Sequence, residues 1–75
     1  MKELKLIGVD YFSRYVFKDV QTGIYYCDVY HLEDGKSEAE VKDYYNTHKP
    51  ELDDKCGDFE SEPSGFNSIT NYTII

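Results

Sequence analysis

Four side chains of the types that bind zinc or act as nucleophiles are spread along the chain. Three residues separate Cys27 from His31, but His48 and Cys56 follow at long and unequal intervals. Structural zinc sites use tightly spaced ligand pairs, so this spacing predicts no metal site. Neither cysteine stands beside an activating base, as a nucleophile requires. We expect two free thiols, with a Cys27–Cys56 disulfide as the alternative in an oxidising compartment.

Carboxylates are the commonest groups in the sequence that could do chemistry. Two of them act as acid and base only when they are held at a fixed separation with shifted pKa values, which a solvated acidic segment does not provide. No glycine-rich loop precedes a helix, so phosphate and dinucleotide binding are not expected. Gly57 also has the wrong offset from its neighbouring acids for a calcium loop. The sequence therefore predicts a protein that is not an enzyme and has no cofactor.

The formal net charge of −7 is confined to the middle of the chain. Residues 1–32 carry four acids and four basic residues, and residues 63–75 carry no charge, whereas residues 33–62 carry eleven acids against four lysines. Such a segment repels nucleic acid, so no direct nucleic-acid binding is expected. A basic protein surface would instead be attracted to it. The alternative is an acidic surface that serves only solubility.

We expect the partner-binding surface to consist of these acids together with two exposed tyrosines of the third strand, because tyrosine is enriched at interfaces. The predicted residues are Glu33, Asp34, Glu38, Glu40, Asp43, Glu51, Asp53, Asp54, Asp58, Glu60, Glu62, Tyr26 and Tyr30.

The elements that must position these side chains follow from the residue pattern. β-Branched and aromatic residues predict strands over residues 4–9, 15–17, 24–30 and 66–75. Gly23 supplies the positive φ of a turn before the third strand. In that strand Tyr25, Cys27 and Val29 are predicted to face the core, because the opposite face carries Asp28.

A helix is predicted to begin after Ser37 and to end before Pro50. Ser37 and Glu40 have the spacing of a capping box. Val41, Tyr44, Tyr45 and His48 then form one stripe at helical spacing, and residues 51–65 form a polar connection. The whole predicts one α+β domain over residues 1–75: a small antiparallel sheet of three to five strands with one helix packed on it.

The first ten residues are interrupted by charge every few positions. This pattern excludes a secretory signal and a membrane span, so a cytoplasmic location and no membrane partner are expected.

Four short motifs occur in a familiar order: LIGVD at 6–10, RYVFKD at 14–19, GIYYCD at 23–28 and GDFESEP at 57–63. This order resembles a small uncharacterised domain of phages and mobile elements in gut bacteria, found alone or attached to large polyvalent proteins. In that family the last motif tends to read Phe-x-Gly-Glu-Pro followed by an acid, whereas in this chain Ser61 replaces the Gly and Ser64 replaces the acid. Residues 37–50 look like an insertion. The resemblance implies no enzyme activity and a setting in which small acidic proteins block host defences.

The leading hypothesis is a non-enzymatic acidic binding protein. Its most concrete form is a phage or mobile-element inhibitor, of the anti-CRISPR kind, that masks the basic nucleic-acid-binding surface of a host defence protein. The alternative is a small structural or accessory domain of unknown role, which associates with itself or with a larger protein through sheet edges or tyrosine faces.

Overall fold

The computed structural model describes all of residues 1–75, which form one sheet and one helix. The elements are β1 (Lys2–Val9), β2 (Tyr15–Asp19), β3 (Tyr25–Cys27), α1 (Glu38–His48), β4 (Leu52–Lys55), β5 (Pro63–Ile69) and β6 (Tyr72–Ile74). The strand order is β5-β4-β3-β2-β1-β6, and every pair is antiparallel except β1 with β6. The predicted α+β class with one packed helix is confirmed, but the sheet is larger than predicted and mixed.

A very short connection forces this sheet to curl. Only residues 70 and 71 join β5 to β6, although these strands are the two outer strands of the sheet. In a flat sheet five steps of about 4.8 Å would separate them by about 24 Å. The three peptide steps from Ile69 to Tyr72 span about 10 Å at most. The two outer strands of the sheet must therefore approach each other. The main core contains residues of β1 to β4, β6 and α1.

The main core lies between α1 and the face of the sheet that carries Phe17 and Tyr26. These two residues are cross-strand neighbours, and the ring centroid of Phe17 lies 4.9 Å from that of Tyr45 on the helix. Leu4 and Leu52 complete the same cluster and are fully buried. Tyr26 is only 4% exposed, so the prediction that it lies on the partner surface is wrong.

The predicted orientation of the third strand is also wrong. Tyr25 and Cys27 face away from the main core, and the helix covers the Tyr26 side. The prediction failed because it treated Asp28 as a marker of solvent. Asp28 is fully buried, and hydrogen bonds compensate for the loss of water around its carboxylate.

The segment that follows β4 covers part of the other face. The ring centroid of Phe59 lies 6.3 Å from that of Tyr25, in an edge-on arrangement. A Cβ added to Gly8 would lie 3.4 Å from the Phe59 ring, so the ring rests against the backbone of β1. Cys27 and its cross-strand neighbour Val16 are fully buried on this face.

A buried ionic network holds this second layer in place. Asp10 Oδ2 accepts hydrogen bonds from Lys55 Nζ and Arg14 Nε, both at 2.8 Å. Lys55 Nζ also donates to the carbonyl of Phe59 at 2.6 Å, and its side chain is fully buried. Burial by itself would raise the pKa of Asp10, but the hydrogen bonds from Lys55 and Arg14 outweigh burial and lower it to about 2.

The helix begins and ends where the sequence predicts. Ser37 Oγ accepts from the Glu40 backbone N–H, and the Glu40 carboxylate accepts from the Ser37 N–H, so the capping box is confirmed. Lys49 adopts a left-handed conformation with φ of 50° directly before Pro50, which ends the helix. The Asn46 amide bonds both the N–H and the carbonyl of Ile74, and this fixes α1 against β6.

The second half of the chain departs most from the prediction. Residues 51–65 contain β4 and the start of β5, and the single strand predicted over 66–75 is two strands at opposite edges. β4 reads Leu-Asp-Asp-Lys, and carboxylates are disfavoured in strands, so the sequence gives little signal there. The strand forms because Leu52 is buried in the core and Lys55 is paired with Asp10.

We predict that the protein loses stability as the pH falls from about 5 to about 2. The folded-state pKa of Asp10 is about 2, below the unfolded value of about 3.9, so its contribution is present above that value and is lost on acidification. This amounts to about 2 kcal/mol. Urea unfolding followed by circular dichroism measures the free energy of unfolding at each pH.

The variant Asp10→Asn should be less stable at neutral pH by about 3 kcal/mol, because Lys55 loses its buried partner. Its free energy of unfolding should also depend less on pH. An unchanged pH dependence in that variant would contradict the assignment.

Candidate functional site

The eleven predicted acids do not form one surface. Glu38, Glu40 and Asp43 lie on α1, on one side of the sheet. Asp58, Glu60 and Glu62 flank Phe59 in the segment that covers the other side. Glu51, Asp53 and Asp54 lie at or within β4, and Glu33 and Asp34 lie in the loop before α1. The charge is concentrated along the chain, but folding distributes these acids over both sides of the sheet.

Several of these acids are already engaged in local structure. Glu33 accepts from the Gly35 N–H, and Glu60 accepts from the Tyr11 N–H at 3.0 Å. Asp54 accepts from the Ser64 hydroxyl and from the Asn67 amide. Asp58 accepts from the Glu60 N–H and from the Ser61 hydroxyl. These carboxylates stabilise turns and the β4–β5 junction, so their presence has a structural explanation.

Other acids have no hydrogen bond within the chain. Glu38 and Asp43 are exposed on the helix, and Glu51 and Glu62 are exposed elsewhere. Asp53 is half-buried, and burial raises its pKa, followed by the repulsion of Glu51 and Asp54. The side of the sheet that α1 covers, with the loop before α1, is called the helix side here. On it, Glu33 and Glu38 line one shallow groove together with Val41. On α1, Glu38 and Asp43 are therefore the two acids whose carboxylates accept no hydrogen bond within the chain, since Glu40 belongs to the capping box.

Several large apolar side chains are exposed in different parts of the fold. Tyr30 is 69% exposed, as predicted, and Leu32 two residues later is exposed as well. Tyr11 and Phe12 protrude from the β1–β2 turn, where Asp10 caps the Phe12 N–H, and Phe66 protrudes from β5. Tyr11, Phe12 and Phe66 are not among the predicted surface residues. For Tyr11 and Phe12 the signal is their position in a turn, because connecting segments lie on the surface.

Asp28 organises the loop that leads into the helix. Its Oδ1 accepts from the backbone N–H groups of Tyr30 and His31, at 2.9 and 3.2 Å. Its Oδ2 accepts from the Tyr45 hydroxyl at 2.7 Å and lies 3.0 Å from His31 Nδ1. Burial, and then the hydrogen bond to Asp28, raise the pKa of Tyr45. One carboxylate thus joins β3, the following loop and α1, a role that the sequence pattern around Asp28 does not indicate.

A small tyrosine-lined cavity lies beside this junction. It measures about 80 Å³, and it is lined by Tyr15, His31, Leu32, Asp34, Lys36, Tyr44 and Tyr45. The Tyr15 hydroxyl donates to Asp34 at 3.1 Å, and the rings of Tyr44 and Tyr45 meet edge-on at 5.4 Å between centroids. Lys36 pairs with Asp34, and both residues belong to the lining.

The residues with zinc-binding potential remain apart. Cys27 is buried behind the second layer, and burial raises the pKa of its thiol. Cys56 is exposed, and both cysteines are free thiols. His31 is turned toward Asp28, and His48 stacks on Tyr44 at 4.4 Å between centroids. No three histidine, cysteine or acidic side chains come together as a metal site would require.

Comparison of the chain with protein-family models, with curated proteins and with solved structures gives no match. The resemblance to the phage and mobile-element domain therefore stays a prediction. The one helix of this protein, α1, has 11 residues, which is too short to cross a membrane.

We predict that Tyr45→Phe destabilises the protein by about 2 kcal/mol, because it removes a hydrogen bond to a buried carboxylate. Tyr44→Phe is the matched control: the hydroxyl of Tyr44 has no hydrogen bond within the chain, so the change should stay within about 0.5 kcal/mol. Urea unfolding of both variants makes the comparison. Equal losses would show that Asp28 does not depend on its bond to Tyr45.

Proposed function

We propose that the protein is a non-enzymatic binding protein that occupies a basic surface of another protein. The observation that carries this proposal is the helix side described above. There Glu38 and Asp43 expose carboxylates with no hydrogen bond within the chain, and the exposed Leu32 and Tyr30 lie in the preceding loop. Unpaired charge next to exposed apolar area is the composition of a recognition surface, because charge orients the encounter and apolar contact adds affinity.

The most concrete form of the proposal is an inhibitor from a phage or mobile element. Its target would be a host defence protein that holds nucleic acid, such as a CRISPR effector or a restriction enzyme. Such proteins present lysine and arginine to phosphates in a positively charged channel. Carboxylates on one side of a rigid helix would take the place of those phosphates. The resemblance of the four sequence motifs supports this setting.

The helix carboxylates should dominate this binding. Glu38→Lys with Asp43→Lys reverses two charges that accept no hydrogen bond within the chain, whereas Glu40 is left unchanged because it caps the helix. We expect the double variant to lose at least tenfold in affinity and to remain folded. Affinity of the original protein should fall steeply with added salt, because exposed charges are screened. A partner is first captured from host lysate and purified, and the affinity of each variant for the purified partner is then measured.

A matched control separates the helix side from net charge. Glu3→Lys with Glu62→Lys changes the charge by the same amount, but Glu3 alternates with the core residue Leu4 and so points to the opposite side. This variant should keep most of the affinity. Added double-stranded DNA should also displace the protein from its partner if the two share a surface. Salt-insensitive binding, or equal losses in the two double variants, would contradict the proposal.

A second candidate function rests on the chargeless end of the chain. β5 is an outer strand of the sheet, residues 63–75 carry no charged side chain, and Phe66 on this strand is 90% exposed. Natural sheets usually protect an outer strand with charge, because its unpaired backbone groups otherwise pair with another chain. An accessory domain that pairs through this edge, with a second copy or with a larger protein, would use these residues.

This second candidate predicts an association that depends on Phe66. Sedimentation equilibrium should detect a dimer at high micromolar concentration, and Phe66→Ser should shift it to monomer without a change in unfolding temperature, because the side chain is exposed. Glu62→Gln, next to the same strand, serves as the control and should leave the dimer intact. A monomer at every concentration would exclude self-association and leave the first candidate.

A further inference from the structure

The cavity between Tyr15, Tyr44 and Tyr45 has the chemistry of a cation site. Its volume of about 80 Å³ offers room for two to three water-sized groups, enough for one ammonium or guanidinium head and too little for a larger ligand. Tyrosine supplies three of the seven lining residues. The face of an aromatic ring carries negative potential and attracts cations placed over it.

Two carboxylates add to this negative potential. Asp34 is a lining residue of the cavity and accepts from the Tyr15 hydroxyl. Asp28 lies fully buried behind the lining residues Tyr45 and His31, both of which it contacts. The one lysine of the lining is Lys36. The other lining residues are the three tyrosines, Asp34, His31 and Leu32. Without Lys36 the lining would carry one carboxylate and no lysine or arginine, and a cation would be attracted to it.

Lys36 already uses part of this site. Its Nζ lies 5.1 Å from the centroid of the Tyr44 ring and pairs with Asp34. The side chain is 32% exposed, and Lys36 follows Gly35 in the loop before the helix. A flexible stem that is partly in solvent can leave the ring without disturbing the core, since Val41 and Tyr45 hold the helix independently.

We propose that this cavity binds a lysine or arginine side chain of the basic partner protein, and that Lys36 occupies part of the same site until the partner's cation replaces it. That the cation comes from a basic partner protein rests on the proposed function. The cation site itself rests on the cavity, the three tyrosines and the two carboxylates. The simple alternative is that Lys36, Asp34 and Tyr44 only fasten the loop to the helix.

Small cations test the site without any partner. The probes are N-acetyl-arginine amide and N-acetyl-lysine amide, and the uncharged control is N-acetyl-citrulline amide, which has nearly the shape of the arginine compound. Binding is followed by NMR chemical shifts of the tyrosine rings. We expect both cations to shift the signals of Tyr15, Tyr44 and Tyr45, with millimolar affinity, and the citrulline compound to leave them unchanged.

Variants distinguish replacement of Lys36 from simple surface attraction. Lys36→Ala should tighten cation binding by about threefold or more, because the competing ammonium is removed. Tyr44→Leu keeps apolar bulk and should weaken binding by a similar factor. Lys42→Ala removes an exposed lysine of the same helix and should have little effect. The inference is overturned if no cation shifts the tyrosine signals in Lys36→Ala, if citrulline binds equally well, or if Lys42→Ala tightens binding as much as Lys36→Ala.

The same set of variants keeps this inference separate from the proposed function. Glu38→Lys with Asp43→Lys leaves every lining residue of the cavity unchanged, so it should still bind the small cations while it loses the partner. If cations enter the cavity and no basic partner is found, the proposed function fails and the cation site stands. If a basic partner binds and no cation enters the cavity, this inference alone fails.

Discussion

The candidate surface depends on the hydrogen bonds that the buried carboxylate of Asp28 makes. A fully buried carboxylate without partners would cost several kcal/mol, and here the hydroxyl of Tyr45, the ring of His31 and two backbone N–H groups provide the partners. These bonds determine where the chain turns after β3, where α1 lies on the sheet and how the tyrosine cavity closes. The exposed acids and apolar residues of the helix side keep their relative positions for the same reason.

The features that could be predicted from the sequence are those determined within a few residues. The capping box of Ser37 and Glu40, the end of the helix before Pro50 and the positive φ of Gly23 each follow from local geometry. The features that could not be predicted depend on distant partners. β4 forms because Lys55 pairs with Asp10. The single strand predicted after residue 65 is two strands, because β6 pairs with β1 at the far edge of the sheet. Neither partner can be identified from neighbouring residues.

The candidate site follows the same division. Its charge could be predicted, because the acids lie within one segment, residues 33–62. Its shape could not be predicted, because the sheet separates the helix from the segment around Phe59. The basic residues show a related effect. Lys55 and Arg14 point inward to Asp10, and Lys2 pairs with Asp19, so these cations are engaged with acids outside the acidic segment. The acids of residues 33–62 therefore form no ion pair with Lys2 or Arg14.

The two-residue link between β5 and β6 has a consequence for the order of folding. β6 pairs with the start of β1, so almost the whole chain lies between the two partners. Closing so long a loop is entropically costly and is repaid only when the intervening strands already form a sheet. The hairpin of β1 with β2 and the adjacent β3 contain the shortest-range pairs and can assemble first. We expect the strand that completes the sheet to be the last to join during folding and the first to separate during unfolding, together with the end of α1 that Asn46 holds to it.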